Sequence, residues 1–215
     1  LCREIARVLG CQVDVVLLGD GVLEADFQQA ATVHSLPCRG GTNAGLELAR
    51  KLRAGGADVA IANTTVSGLF ASDLSAAGFR LVSLVHELPG VIESYGLHAH
   101  AQRIARDADL VVFAAEAVRE GFEQFATLDP ARTLIRTQGN YKHNRYQSAA
   151  SIAAARGELR RRLGIAEDAL IVLSVGYADL RKGVDLFVSV GAKLIRRDPR
   201  VHMLWLGHLD LGLEP

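Results

Sequence analysis

A chain of 215 residues that is 49% hydrophobic and 22% charged is too apolar to be disordered and long enough for one large domain or one and a half smaller ones. Its 24 Lys+Arg balance 24 Asp+Glu, so no net field recruits nucleic acid or an anionic membrane, and any anion site must be local. Cys2, Cys11 and Cys38 are odd in number and share no metal-ligand spacing, which points to a reducing cytoplasm, and no apolar run approaches the ~20 residues of a membrane span.

Leu1 to Leu9 reads as the end of a helix with Leu1, Ile5 and Val8 on one face, followed by a buried strand over Val13–Gly19 and a turn at Asp20-Gly21. A short helix is predicted over Val22–Ala30 and a short strand over Thr32–Leu36. Arg39 to Gly45 (RGGTNAG) lacks the G-x-G-x-x-G spacing of a dinucleotide loop and reads as a flexible loop and helix N-cap. Ala44–Ala54 is a helix, Asp58–Ala62 a buried strand, Thr64–Gly78 a loop and helix, and Arg80–Val85 a strand running into His86-Glu87-Leu88-Pro89-Gly90. A helix over Leu97–Ala108 turns Leu97, Ala101, Ile104 and Ala108 inward. Asp109–Ala114 is a strand, Ala117–Thr127 a helix and Thr133–Thr137 a short strand. Asp107-Ala108-Asp109 marks a helix end and strand start rather than a metal pair, and His98-Ala99-His100 at helical spacing points its rings apart.

Tyr141–Ser151 is polar and aperiodic, a linker, and Ile152–Leu163 is a basic helix whose Arg156, Arg160, Arg161 and Arg162 make a solvated face. A strand over Ala169–Val175, a polar turn, a helix over about Gly183–Arg197 and a strand over Val201–Gly207 complete the chain. The inward face of that last helix is Val184, Phe187, Val188, Gly191, Leu194 and Ile195; Asp185 and Arg196-Arg197 match the dipole at its two ends. Near-continuous apolar strands predict a parallel sheet covered on both faces. The fold class is α/β, with a nearly complete Rossmann-like doubly wound parallel sheet and the first β-α-β of a second. The boundaries read as 1–145 for the first domain, 146–166 for linker and helix and 167–215 for the start of the second; both ends look cut within a larger pattern.

Chemistry concentrates where Arg181 and Lys182 meet a helix N-terminus at the carboxyl end of a parallel strand, a place that receives phosphate groups in open α/β sheets. A cation there opposes the helix dipole and calls for an anion. His86 and Gly176 both lie at carboxyl strand ends, and two such ends facing each other would form a ligand cleft.

Val175-Gly176-Tyr177-Ala178-Asp179-Leu180-Arg181-Lys182-Gly183-Val184-Asp185 resembles the start of the nucleotide-sugar-binding domain of group 1 (family 4) glycosyltransferases, which are retaining enzymes of GT-B architecture. Upstream, Asp58 to Asn63, Leu84 to Gly90, Asp109 to Val112 and Gln138 to Tyr141 are similar to that family's acceptor-side domain. The resemblance implies that a sugar passes with retention from a nucleotide-diphosphate sugar to a glycan or lipid-linked acceptor, with no metal and no cofactor beyond the donor. Lys182 then matches the lysine that binds the donor diphosphate, His86 the strand-end histidine near the donor sugar, and Glu87 a sugar or acceptor contact. Gly176, Tyr177 and Arg181 complete the donor-binding set; Tyr177 stands where the family often has arginine, and Arg181 brings charge from the other side of the turn. The family's glycine-rich loop would precede Leu1 and its paired glutamates would follow Pro215, so this stretch alone is expected not to turn over. Implied partners exclude nucleic acid and a transmembrane segment and leave peripheral membrane contact open. Two other readings are an NAD(P)-dependent Rossmann oxidoreductase or epimerase, against which the missing fingerprint counts, and a non-catalytic sugar- or nucleotide-binding module, which Tyr177 favours.

Overall fold

The computed structural model describes residues 2–19, 21, 23–36, 43–137, 139 and 144–208, without the Arg181 side chain. Leu1, the Asp20 turn, the RGGT part of RGGTNAG, Cys38, Gln138, Asn140-Tyr141 with the first residues of the linker, and Pro215 lie outside them. The chain divides into two compact units, Leu1–Gly139 and Asn140–Pro215.

In the first unit strands and helices alternate: α1 (Cys2–Leu9), β1 (Asp14–Leu17), α2 (Glu24–Gln28), β2 (Thr32–Ser35), α3 (Ala44–Ala54), β3 (Val59–Asn63), α4 (Gly68–Ala76), β4 (Arg80–Val85), α5 (Pro89–Ser94), α6 (His98–Asp107), β5 (Leu110–Phe113), α7 (Glu116–Phe122) and β6 (Thr133–Ile135). The last four strands form a parallel sheet in the order β3-β4-β5-β6, and β1 pairs with β2 in a parallel sheet of its own. Leu81, Ser83 and Val85 of β4 and Val111 and Phe113 of β5 are buried. Against them α6 packs Ala101 and Ile104, with Leu97 and Ala108 buried at its ends, so the predicted inward face is the observed one. Gly68 opens α4 where a Cβ would collide with the carbonyl oxygen of His100, which is how α4 and α6 come so close. Asp107 ties the same two helices: it accepts from Ser72 Oγ at 2.6 Å and from Arg106 Nε at 2.7 Å.

Several boundaries and faces differ from the sequence reading. Val59 and Ile61 of β3 are 46% and 45% exposed, because β3 ends the four-stranded order and only one of its faces is covered among the described residues. Val8 is exposed and α1 has no buried residue. The α7 helix stops at Phe122 rather than Thr127. The α5 helix is an addition: Pro89 fits the first helical position, but six residues are too few to show a period.

The second unit contains α8 (Ala149–Leu163), β7 (Leu170–Val175), α9 (Val184–Arg197) and β8 (Val201–Leu206), with β7 and β8 parallel from Leu170↔Val201 to Val175↔Leu206. The α8 helix starts three residues early because Ser148 and Ser151 form a reciprocal capping box. Arg160 is not on a solvated face: it is 6% exposed and donates to the carbonyls of Ala166 at 3.0 Å and Ala169 at 2.9 Å, fastening the loop into β7. In α9 the side turned toward β8 comprises Gly191, where a Cβ would lie 2.8 Å from Met203 Cγ, and Phe187, edge-on to Trp205 at 5.2 Å. Val188 and Ile195, expected inward, are exposed together with Leu186 and Val190. Leu173, Val175 and Leu206 are exposed as well; strand alternation puts them opposite the Met203 and Trp205 side, so among the described residues this sheet is covered on one face.

Gly68→Ala should destabilise the first unit by about 1–3 kcal/mol, since the obstacle is backbone and cannot swing away; urea denaturation followed by circular dichroism measures it. The Arg106 hydrogen bond, aided by Ser72, holds the Asp107 carboxyl below the ordinary aspartate range. A depressed folded value means stabilisation that is present above about pH 4 and lost as pH falls through that value. Asp107→Asn should therefore flatten the acid limb of a plot of urea midpoint against pH.

Candidate functional site

Because β3 and β4 run parallel, with Asn63 opposite Leu84, their carboxyl ends lie side by side and the residues that follow face one another. Thr64 extends the ladder by one bond, its N–H donating to Leu84 O at 2.9 Å. It does so at φ 77° and ψ 159°; among the described residues it is the one non-glycine with positive φ. That region is essentially reserved for glycine and costs a side chain about 1–3 kcal/mol. The surrounding bonds hold it there. Thr65 is fully buried, and its N–H and Oγ1–H both donate to Glu87 Oε2, at 3.0 and 2.7 Å. The His86 N–H reaches the same oxygen at 3.2 Å, and Ser67 Oγ–H donates to Asn63 O at 2.6 Å. His86 Nε2 lies 3.0 Å from Asn63 Oδ1. The structure thus brings His86 and Glu87 together at one strand end, with Glu87 Oε2 turned onto Thr65 and the His86 backbone.

In the second unit the turn between β7 and α9 is bracketed by two glycines with positive φ, Gly176 at 141° and Gly183 at 73°. Between them Asp179 caps a single 3-10 turn, Leu180–Lys182, accepting from the Lys182 N–H at 2.7 Å. The aliphatic stem of Lys182 runs over Gly176, its carbons 3.6–3.7 Å from where a Cβ would stand. The Gly176 carbonyl accepts from Trp205 Nε1–H at 2.8 Å, and a Cβ on Gly207 would collide with that same oxygen. Tyr177 is exposed and edge-on to His208 at 6.2 Å, while the Ala178 N–H donates to His208 O at 2.9 Å. Gly176, Tyr177 and the exposed Lys182 therefore share one turn at the N-terminus of α9. Arg181 contributes its backbone to that turn; its side chain lies outside the described residues. An exposed ammonium beside a helix N-terminus suits an anionic group such as a phosphate.

Sequence reasoning missed Asn63, Thr65 and Trp205. Asn63 and Thr65 belong to a polar Asn-Thr-Thr run that closes an apolar strand, a signal open to reading; nothing in the sequence pairs Trp205 with a glycine 29 residues away. The secondary candidates are structural. Asp109 Oδ2 accepts from the Leu81 N–H at 2.7 Å, and Asp107 is committed to Arg106 and Ser72. His98 packs edge-on to Phe125 at 5.0 Å, while burial, and then the Arg103 charge, push the His100 imidazole below its ordinary value. A hollow of about 610 Å³ lined by Gln102, Arg106, Phe125 and Arg132 lies by the amino end of β5, away from His86.

No protein-family model matches the chain. It is 33% identical over 99 residues to the D-inositol 3-phosphate glycosyltransferase of Geodermatophilus obscurus, a match covering 46% of this chain and 20% of that protein. Among solved structures it resembles a glycosyltransferase from Rickettsia africae, with a TM-score of 0.61 at 9% identity over 95% of this chain and 62% of that one. It also resembles an E. coli structure described as "Trehalose-6-phosphate from E. coli bound with UDP-2-fluoro glucose", with a TM-score of 0.54 at 18% identity over 80% of this chain and 44% of that one. The apo structure of OtsA gives a TM-score of 0.53 at 18% identity, over 77% and 42% of the two chains. The chain thus spans a fifth of the curated relative it matches and less than two thirds of each of these solved chains. Its Rossmann-like parallel α/β fold is that of GT-B glycosyltransferases, and its sequence is homologous to a glycosyltransferase.

Thr64→Gly should raise stability by about 1 kcal/mol by relieving the backbone, and Asp179→Ala should lower it by about 1 kcal/mol through loss of the cap. Paired urea titrations of the two variants read both signs.

Proposed function

We propose that this chain is part of a retaining group 1 glycosyltransferase that moves a sugar from a nucleotide-diphosphate sugar to a glycan or lipid-linked acceptor. Leu1–Gly139 serves as the acceptor-side unit and Asn140–Pro215 as the start of the donor-binding unit. The observation that carries the reading is the β7–α9 turn, in which the stem of Lys182 lies on Gly176 and its charge stands at the N-terminus of a 14-residue helix. When the glycosidic bond breaks, the leaving diphosphate gains charge, and a cation already fixed in place stabilises that charge without reorganising. Gly176 and the exposed ring of Tyr177 stand in the same turn, and Arg181, next to Lys182 in sequence, adds a second cation. His86 acts toward the sugar end of the donor, on an imidazole anchored through its backbone by Glu87.

The homologous enzyme is named as a glycosyltransferase, and one of the similar structures was solved with UDP-2-fluoro glucose; both support sugar transfer over the NAD(P) reading. A UDP sugar is accordingly the first donor to test, and the chemistry needs no cofactor of its own.

In the full-length protein Lys182→Ala should cut transfer by roughly 10²- to 10³-fold with an unchanged melting temperature. An unchanged rate would remove Lys182 from the mechanism. Trp205, the one tryptophan of the chain, bonds to Gly176 and so reports on the turn: adding UDP or GDP should change its fluorescence, and the Lys182→Ala variant should need far more nucleotide to do so. Fluorescence that answers to NAD and ignores both nucleotides would instead favour the oxidoreductase.

A further inference from the structure

We infer that Trp205 is a positioning residue of the β7–α9 turn, holding the Gly176–Tyr177 peptide so that the Tyr177 N–H stands ready to bond the donor diphosphate; this deepens, and rests on, the reading of that turn as the diphosphate site. An indole N–H only donates, so a half-buried tryptophan needs an acceptor. Trp205 finds it in the Gly176 carbonyl, at 2.8 Å and 29 residues back along the chain. The ring is itself held. Phe187 stands edge-on to it at 5.2 Å, and the Phe187 N–H donates to Gly183 O at 2.9 Å in the first turn of α9.

The bond matters because it sets a peptide that the strand pairing leaves open. On one side of that peptide the Gly176 N–H donates to Leu206 O at 3.0 Å, and on the other the Ala178 N–H donates to His208 O at 2.9 Å. Between these fixed points Gly176, at φ 141°, has a freedom that a residue with a Cβ lacks, so the peptide could face either way. Turned over, it would present an N–H to the indole N–H, donor against donor. Trp205 thereby selects one orientation. Gly207 makes room for it, since a Cβ there would collide with the Gly176 carbonyl oxygen.

A trans peptide is planar, with its N–H opposite its C=O, and no cis bond occurs among the described residues. Fixing the Gly176 carbonyl on Trp205 therefore fixes the Tyr177 N–H on the far side of the same plane. That N–H has no hydrogen-bond partner among the described residues. Tyr177 is exposed and the Lys182 stem packs over Gly176, so an unpaired N–H and an ammonium belong to one turn. Backbone donors held in advance suit a phosphate oxygen that gains charge as its bond breaks. Lys182 supplies the charge and the Tyr177 N–H a directional bond. Trp205 acts through the peptide, without touching the ligand.

The test uses the full-length protein with Trp205→benzothienylalanine, which keeps the ring shape and puts sulfur in place of the N–H. Calorimetry should show UDP bound roughly 10- to 100-fold more weakly, the worth of one hydrogen bond to a charged group, while uridine binds as to the native protein. GDP and guanosine replace them if only the purine pair binds. In ¹H–¹⁵N spectra of tyrosine-labelled protein, with Tyr177 assigned by its loss in Tyr177→Phe, UDP should move the native Tyr177 amide proton downfield and leave it unmoved in the variant. Gly207→Ala, which displaces the same carbonyl with Trp205 still in place, should reproduce both effects. Should the isostere fail to fold, Trp205→Phe takes its place. Unchanged UDP affinity without the indole N–H, a native Tyr177 amide indifferent to bound UDP, or equal loss of UDP and uridine would overturn the inference. Lys182→Ala separates this from the underlying reading: if that variant binds UDP as tightly as the native protein, the turn is not the diphosphate site. If it loses UDP while the native Tyr177 amide stays indifferent, only the role of Trp205 falls.

Discussion

One carboxylate oxygen organises the end of the first unit's sheet. Oε2 of Glu87 accepts from the Thr65 N–H, the Thr65 hydroxyl and the His86 N–H, so two neighbouring strands are joined beyond the last rung of their ladder. Hydrogen bonds to an ionised acceptor are shorter and about twice as strong as neutral ones. Three together offset the cost of withdrawing the carboxylate from water, and they account for an otherwise unfavourable backbone at Thr64. Without that oxygen, Thr65 would leave two buried donors unsatisfied.

The second unit fixes its own strand end by other means. No carboxylate bridges β7 and β8 at Gly176 among the described residues; the strands there are held by close backbone approach and an indole N–H on a carbonyl. Two glycines, Gly176 and Gly207, allow that approach, and Phe187 packs edge-on against the indole from α9. One end is fastened by charge and the other by shape.

The alternation of elements was legible in the sequence because apolar strands and amphipathic helices have different periods; Leu97, Ala101, Ile104 and Ala108 are buried as their spacing predicts. Faces were harder. Val188 and Ile195 satisfy the same helical spacing as Gly191 and Leu194 yet are exposed, because α9 is apolar nearly all round and periodicity cannot say which side meets a sheet. Arg160 read as one of four equivalent arginines, and only the fold shows that its fork reaches two loop carbonyls. At the candidate site the residue types that carry charge stood out, while Asn63 and Trp205, which act on neighbours distant in sequence, did not. The inward turn of Glu87 depends on a buried threonine 22 residues earlier, and no local pattern encodes that.

Gly183 is both the residue that closes the 3-10 turn of Lys182 and the cap that starts α9. Turn and helix therefore share one residue, so a displacement of the start of α9 is a displacement of the end of the Lys182 turn. The helix approaches the sheet closely at Gly191, where a Cβ would meet Met203, seven residues beyond Val184. At 1.5 Å per residue that gives an arm of about 10 Å, so a tilt of about 10° there would move the helix start through roughly 2 Å. Any force that rocks α9 on that fulcrum is felt by the cation as a change of reach.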